Sequence, residues 1–503
     1  MNVLLTFPVN LTVDQVITQL RSESDCQLIS SQPEVKTYYD SFDWRLYEHG
    51  IICEFVAPTL TFKSSKNESV IAEKELKKVP KFSQQFKCET VRLILEPILE
   101  MRALSPVCTI AYTVHQFIIL NEDKKTLLRL IIEEHEQINH RVIVQSLKGY
   151  GNAAESITNT LTQLGLIAAN EPTLIDALTQ QGRDVNDYSS KLAIQLTPEL
   201  RADVASKMIY SCLLTTIKSN EQGTIADIDS EFLHDFRVAV RRTRAALSQL
   251  KDVLPHDINT RYAKFFSWLG SVTSPTRDLD VYLLNFAYYK SLLPVSMRGH
   301  LKPLHDYLCK KQKQAQRELA KNLHSTEYLT TLVEWEKMLS ESTQSDSIAI
   351  NAGLTIKALA DKRLWKSFKR VLREGEAITD QSPAEALHDL RKSCKKLRYL
   401  MEFFQSLYEK NAIKSLIKSL KGLQEVLGDF QDCQVQEDNL KLFSEEMQTM
   451  NTPTDTFLAM GSLIQSLDTH RHEIRSHFAL KFAEFKQEET QVTFKLLFNK
   501  KSQ

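Results

Sequence analysis

The chain has 503 residues, 63 Lys+Arg against 63 Asp+Glu, and a formal net charge of zero. Bulk charge therefore cannot hold a polyanion, and any anion site must come from local clustering. The length gives room for two or three domains with ample core, and the composition is that of an ordinary globular protein.

The charge is unevenly divided. Residues 1–196 carry 19 Lys+Arg and 24 Asp+Glu, and residues 197–503 carry 44 and 39. Cys26, Cys53, Cys88, Cys108, Cys212, Cys309, Cys394 and Cys433 are scattered without CxxC spacing and read as reduced, buried thiols. The opening MNVLLTFPVNLTVDQV lacks a basic segment and a long apolar core, so no signal peptide is expected. No run reaches the roughly 18 apolar residues that a membrane span needs. A cytoplasmic location without membrane contact is the expectation.

The first part of the chain reads as mixed and strand-rich. Val3–Phe7 is a short strand, and Thr12 caps a helix through Leu20. Lys36–Tyr39, Gly50–Val56, Thr59–Lys63, Val107–Thr113, Phe117–Leu120, Leu127–Glu133 and Arg141–Ser146 are β-branched or aromatic runs between turn residues. Ala153–Leu164 reads as a helix ending at Gly165. Antiparallel strands with one or two helices suggest a barrel or α+β domain. Residues 167–196 show little periodicity and read as a connector. From Pro198 onward nearly everything reads as helix, with a polar loop at Glu341–Ser347. Pro255, Pro275, Pro294, Pro303, Pro383 and Pro453 stand mostly where helices would end.

Within this helical part, LHDFRVAVRRTRAALSQL (Leu233–Leu250) puts His234, Arg237, Arg241 and Arg244 on one helical face. Leu233, Phe236, Val240 and Leu247 form an apolar stripe beside it. LHDLRKSCKKLRYLMEFF repeats the pattern from Leu387, with His388, Arg391, Lys395 and Arg398 beside Leu387, Leu390, Cys394 and Leu397. His234 and His388 are 154 positions apart, and at that offset Arg242 meets Lys396 and Lys264 meets Lys418. Leu269 meets Leu423, Val272 meets Val426, Asp278 meets Asp432, and Val281 meets Val435. A constant offset over about fifty positions indicates duplication. Two such copies packed about a pseudo-two-fold axis would bring both basic helices to one groove.

Further cations cluster at Lys366, Lys369 and Arg370, at Lys414, Lys418 and Lys421, and at Lys392 beside the second row. Lys310, Lys311, Lys313 and Arg317 make another run, which reads as a solvated face. Arg grips phosphate oxygens with a rigid fork, Lys is a flexible point charge, and His can donate to phosphate. Neither GxxxxGK[ST] nor GxGxxG occurs, so a glycine-rich phosphate loop is excluded. Metal binding at His234 and His388 lacks further ligands at suitable spacing.

HDFRVAVRRTR (His234–Arg244) with TRDLDV (Thr276–Val281), and HDLRKSCKKLR (His388–Arg398) with FQDCQV (Phe430–Val435), resemble the CHAD domain family over about residues 197–490. The resemblance implies an all-α pair of bundles with internal two-fold pseudosymmetry, repeats at about 197–340 and 350–490, and a tail at 491–503. It also implies binding of inorganic polyphosphate on basic, His-containing surfaces around the bundle interface. Gln431 stands where the first copy has Arg277, and Lys395 and Lys396 replace arginines.

Residues 1–166 look like a degenerate CYTH domain, the triphosphate tunnel fold. YYDSFDWRLYEHGI (Tyr38–Ile51) and SLKGYGNAAESITNTLTQLGL (Ser146–Leu166) are similar to segments of that family. The family's opening ExExK strand, whose glutamates hold a divalent metal, corresponds to Val3-Leu-Leu-Thr-Phe7 here. A later Glu-alternating strand corresponds to Val142-Ile-Val-Gln-Ser146. Neither carries a carboxylate, and hard cations need several oxygen ligands. Glu133, Glu134 and Glu136 read as a solvated strand end, and Glu73–Lys78 as an exposed strand or loop.

The expected fold class is therefore multi-domain α+β, with an N-terminal antiparallel barrel or tunnel and a C-terminal duplicated helical bundle. The expected function is binding of polyphosphate or a similar polyanion, in the cytoplasm and at polyphosphate granules. The residues expected to do so are His234, Arg237, Arg241, Arg242, Arg244, Lys264, His388, Arg391, Lys392, Lys395, Lys396, Arg398, Lys366, Lys369, Arg370, Lys414, Lys418 and Lys421. No catalytic residue, metal or cofactor is expected. The alternatives are a metal-dependent triphosphatase, which the missing ExExK opposes, and a nucleic-acid-binding protein. The latter lacks aromatic stacking platforms within the motif.

Overall fold

Thr12 organises the first turn of the chain's opening helix. Its Oγ1 accepts from the Gln15 amide, and the Gln15 side chain accepts from the Thr12 amide at 2.9 Å. The structure is a computed structural model that describes residues 2–341 and 349–499; positions 342–347 of the expected polar loop lie outside the described residues. The chain divides into two units, Met1–Ser189 and Ser190–Gln503.

The N-terminal unit runs β1 (Asn2–Thr6), α1 (Val13–Glu23), β2 (Asp25–Asp40), α2 (Arg45–Glu48), β3 (Ile51–Val56), β4 (Thr59–Ser64), β5 (Val70–Glu75), α3 (Glu89–Leu99), β6 (Ser105–Leu120), β7 (Thr126–His135), β8 (Arg141–Ser146), α4 (Gly151–Gln163), β9 (Ile167–Ala168) and α5 (Thr173–Gln180). The strands form one curled antiparallel sheet in the order β5-β4-β3-β2-β6-β7-β8-β1-β9. Two expectations change here. Val107–Thr113 and Phe117–Leu120 are one continuous strand, and Lys36–Tyr39 is the end of a strand that begins at Asp25. The β2–β6 ladder runs from Asp25↔Leu120 to Asp40↔Ser105. Residues 27–35 are mostly exposed, so the ladder, not an apolar alternation, holds them extended. Residues 173–180, read as connector, form α5.

Alternation along the strands gives the sheet two different faces. Leu128, Leu130 and Ile132 of β7 and Val142 and Val144 of β8 pack against α1 and α4. Cys53, Leu60 and Phe62 pack against Val91, Leu95 and Leu99 of α3. The opposite parity brings Lys36, Tyr112, Glu133, His135 and Arg141 together on the other face.

The C-terminal unit contains α6 (Ala202–Ile225), α7 (Ser230–Gln249), α8 (His256–Leu284), α9 (Phe286–Ser291), α10 (Lys302–Leu323), α11 (Thr326–Ser340), α12 (Ile356–Glu376), α13 (Ala384–Phe404), α14 (Lys410–Met447), α15 (Thr454–Phe485) and α16 (Glu488–Phe498). Pro255, Pro383 and Pro453 directly precede helices, where a missing N–H costs nothing. Pro275, expected near a helix end, lies inside α8, which continues through it. Residues 491–498, read as tail, belong to α16, whose Phe494 and Phe498 enter the core.

The duplication is visible in the helix starts. Ala202 and Ile356, Ser230 and Ala384, and His256 and Lys410 are each 154 positions apart. The residues before the first pair, Arg201 and Thr355, bridge to each other antiparallel. Ala202 N donates to Leu354 O at 2.8 Å, and Ile356 N donates to Leu200 O at 2.7 Å. These two bonds exchange under the 154-residue offset, so a local two-fold axis passes between the copies. The apolar stripes of α7 and α13 lie in one continuous core.

Candidate functional site

Asp229 starts α7 by accepting from the Glu231 amide at 2.9 Å and the Phe232 amide at 3.2 Å. Pro383 precedes the corresponding turn of α13. Each helix buries its apolar stripe, which fixes its rotation and sends the basic row out beside it. The two helices pack directly against each other. Arg241 and Lys395 hold equivalent positions on these two packed helices, and the Arg241 charge acts on the Lys395 amine.

These two residues are the unneutralised centre of the cluster. Among the described residues, neither makes an ion pair or a side-chain hydrogen bond, and the buried Arg241 Nε lacks a partner. Burial pushes the Lys395 ammonium down to about 8, and Arg391, Arg241 and Arg398 push the same way against Asp432. Burial likewise pushes Arg237 down to about 10, opposed by Asp278 and reinforced by Arg241, Arg277 and Arg244.

Other members of the rows are held in place. Arg237 Nη1 donates to Thr273 Oγ1 at 2.8 Å, Ser274 Oγ at 3.1 Å and Gly270 O at 3.3 Å, all on α8. Its counterpart Arg391 stands 3.4 Å from Asp432. His234 Nδ1 meets Arg277 Nη2 at 2.9 Å, and His388 Nδ1 meets Gln431 Oε1, the equivalent pair. Arg244 lies over Gly270, where a Cβ would come within 2.8 Å of its Nη1. Gln424 stands at the equivalent position in the second copy, and Arg398 turns instead to Glu402 at 3.3 Å.

Glu402 also takes Arg242 at 2.9 Å, so two cations of the expected row are already paired there. Lys392 pairs with Asp389 at 3.0 Å and Arg370 with Glu374 at 2.6 Å. Lys264, Lys414, Lys418, Lys421 and Lys366 are exposed on α8, α14 and α12; Lys396 is half-buried; Lys369 lies 5.7 Å over the Trp365 ring. In the Lys310–Arg317 run, Lys311 is tied to Glu446 at 2.6 Å. Sequence reasoning left two contributors out of the set. Arg277, within TRDLDV, holds His234, and Glu402 neutralises one end of the rows.

The polar face of the N-terminal sheet is organised differently. Lys36, 4% exposed, donates to both Glu133 oxygens at 2.9 and 3.1 Å. Glu133 is thus not part of a solvated strand end; burial opposes its charge, but Lys36 holds the carboxyl well below the usual range. Glu134 meets His115 at 2.8 Å, while Glu136 is exposed. Glu54 pairs with Lys63 at 2.5 Å. Glu133 and Glu54 are each taken by a lysine, Glu34 accepts from the Tyr112 hydroxyl at 2.7 Å, and β1 supplies no carboxylate. Among the described residues no group of three or more His, Cys, Asp or Glu is placed to hold a metal ion. The residues present therefore do not fit the divalent metal of the triphosphate tunnel fold.

Five cysteines are buried and three are half-buried, all as free thiols. Among the described residues no helix is long and apolar enough to cross a membrane.

Residues 211–441 match the CHAD domain model. Two uncharacterized proteins of Mycobacterium tuberculosis strains are 26% identical over 237 residues, which cover 46% of this chain and 44% of theirs. The chain thus spans less than half the length of the curated relatives it matches. Among solved structures, the CHAD domain from the plant Ricinus communis aligns with 23% identity and a TM-score of 0.49, covering 58% of this chain and 95% of that one. A Hippeastrum putative adenylyl cyclase, described as having dominant triphosphatase activity, aligns with 12% identity and a TM-score of 0.26, covering 37% of this chain and 99% of that one.

Proposed function

We propose, from a C-terminal region that matches the CHAD domain family, that this protein binds inorganic polyphosphate or a similar linear polyanion where α7 and α13 meet. The observation that carries this is the Arg241–Lys395 pair: equivalent cations of two copies, brought together without a carboxylate bonded to either. Like charges cost free energy when gathered and half-buried, and an anion between them removes that cost. Arg237, Arg391, Arg244, His234 and His388 flank the pair, and Lys264, Lys418, Lys414, Lys421, Lys366 and Lys369 extend the positive surface. Arg242 and Arg398 act mainly through Glu402, as a brace between the copies.

In this reading the N-terminal unit performs no metal-assisted hydrolysis, because β1 brings no carboxylate and Glu133 and Glu54 are tied to Lys36 and Lys63. The protein works in the cytoplasm, at polyphosphate granules.

Filter binding with long-chain polyphosphate tests the proposal. Saturable binding at moderate salt, not displaced by RNA or DNA at equal phosphate, is expected. Displacement mole for mole of phosphate would favour a nucleic-acid partner. Phosphate release from tripolyphosphate with Mg²⁺ or Mn²⁺ above a blank would restore the triphosphatase reading.

A further inference from the structure

We propose that the polyanion binds together with a proton, taken up by the Lys395 amine; this rests on reading the surface as a polyanion site. Lys395 stands one turn after Arg391 and one turn before Arg398, so three cations share a face of α13. From α7, Arg241 adds a fourth, at the equivalent position of the other copy. From α14, Asp432 lies 3.4 Å from Arg391, and Asp429 acts on the same guanidinium. On α12, Glu374 is tied to Arg370 at 2.6 Å. The turn Gln405–Leu407 after α13 brings no charge.

Lys395 is thus half-buried among arginines that cannot shed their protons, and its amine is the group that can. Burial and those neighbours leave it at about 8 in the free protein. Phosphate oxygens entering the cluster supply the missing negative charge and draw the proton back. The first copy has Arg241 at this position and cannot respond in this way, so the two halves of the surface differ in their chemistry.

If bound phosphate returns the amine to its ordinary value, affinity weakens about twenty-fold between about pH 7.5 and 9.5. Internal phosphates of a long chain stay ionised throughout that range, so the change belongs to the protein.

The test is calorimetric titration of the full chain with long-chain polyphosphate at pH 9, in buffers of different ionisation enthalpy. Uptake of about one proton per bound site is expected. In Lys395→Arg the uptake should vanish and the affinity should lose its alkaline fall. Saturable binding by the wild type with no proton uptake would overturn the inference alone, as would uptake persisting in Lys395→Arg. Absence of saturable binding at pH 7.5 would remove the underlying reading as well.

Discussion

His234 meets Arg277 through Nδ1 and Nη2 at 2.9 Å, while the equivalent His388 meets Gln431. A guanidinium can only donate, so His234 Nδ1 accepts and the ring proton sits on Nε2. An amide can donate or accept, so His388 is not fixed in the same way. Long-range ¹H–¹⁵N correlation of the imidazoles at neutral pH should show the Nε2–H tautomer for His234. Arg277→Gln should release it to resemble His388. A dominant Nδ1–H form of His234 in the wild type would contradict this geometry.

Lys395 carries a charge that the fold disfavours, so removing it should help the fold. Lys395→Met is expected to raise the midpoint of unfolding of the C-terminal unit by about 2–4 °C at neutral pH. The pH dependence has a definite sign. The folded-state value is about 8, below the ordinary lysine value, so between about pH 8 and 10.4 the unfolded chain binds more protons. Wild-type stability should gain over that window relative to Lys395→Met. Melting by circular dichroism checks both; a lowered midpoint in Lys395→Met would show that the amine has a partner.

Arg242 and Glu402 form the opposite kind of pair, attractive and 14% and 16% exposed. Arg242→Ala leaves Glu402 with Arg398 alone and should cost about 1–3 kcal/mol of stability, read from urea unfolding midpoints. Its effect on polyphosphate affinity should stay within about two-fold. Glu402→Gln should strengthen polyanion binding, because two cations lose their carboxylate. Equal losses of affinity in Arg242→Ala and Arg241→Ala would show that the brace is part of the binding surface.

Lys36 and Glu133 should dominate the acid response of the N-terminal unit. The Glu133 carboxyl is held below its ordinary value, so its stabilisation is present above about pH 4.5 and is lost as pH falls further. Glu133→Gln leaves a buried ammonium and should cost about 3–5 kcal/mol, while the double change Lys36→Met, Glu133→Leu should recover much of it. Hydrogen exchange of β2 and β7 in the full chain, from pH 3 to 7, checks this. Unchanged protection in Glu133→Gln would sink it.

The helical rows were legible because helical period is a local property: Leu233, Phe236, Val240 and Leu247 predict the buried stripe, and the basic row follows beside it. The 154-residue offset also carried the symmetry, down to matching helix starts. What escaped was difference and distance. Glu402 stands where the first copy has Ser248, so searching for agreement between the copies passes over the carboxylate that neutralises one end. Lys36 and Glu133 are separated along the chain and meet only through the sheet, so each alone looks like a solvated charge. The middle of β2 is exposed and polar, and its strand character comes from its partner.

The most direct measurement is the salt dependence of long-chain polyphosphate binding for the wild type and for Arg241→Ala, Lys395→Ala. The wild type should bind saturably, with log affinity falling linearly with log salt. The double variant should stay folded, lose at least about ten-fold in affinity, and have a slope shallower by about two. Superimposable curves for the two proteins, or no saturable binding by the wild type, would contradict a polyanion site at the meeting of α7 and α13.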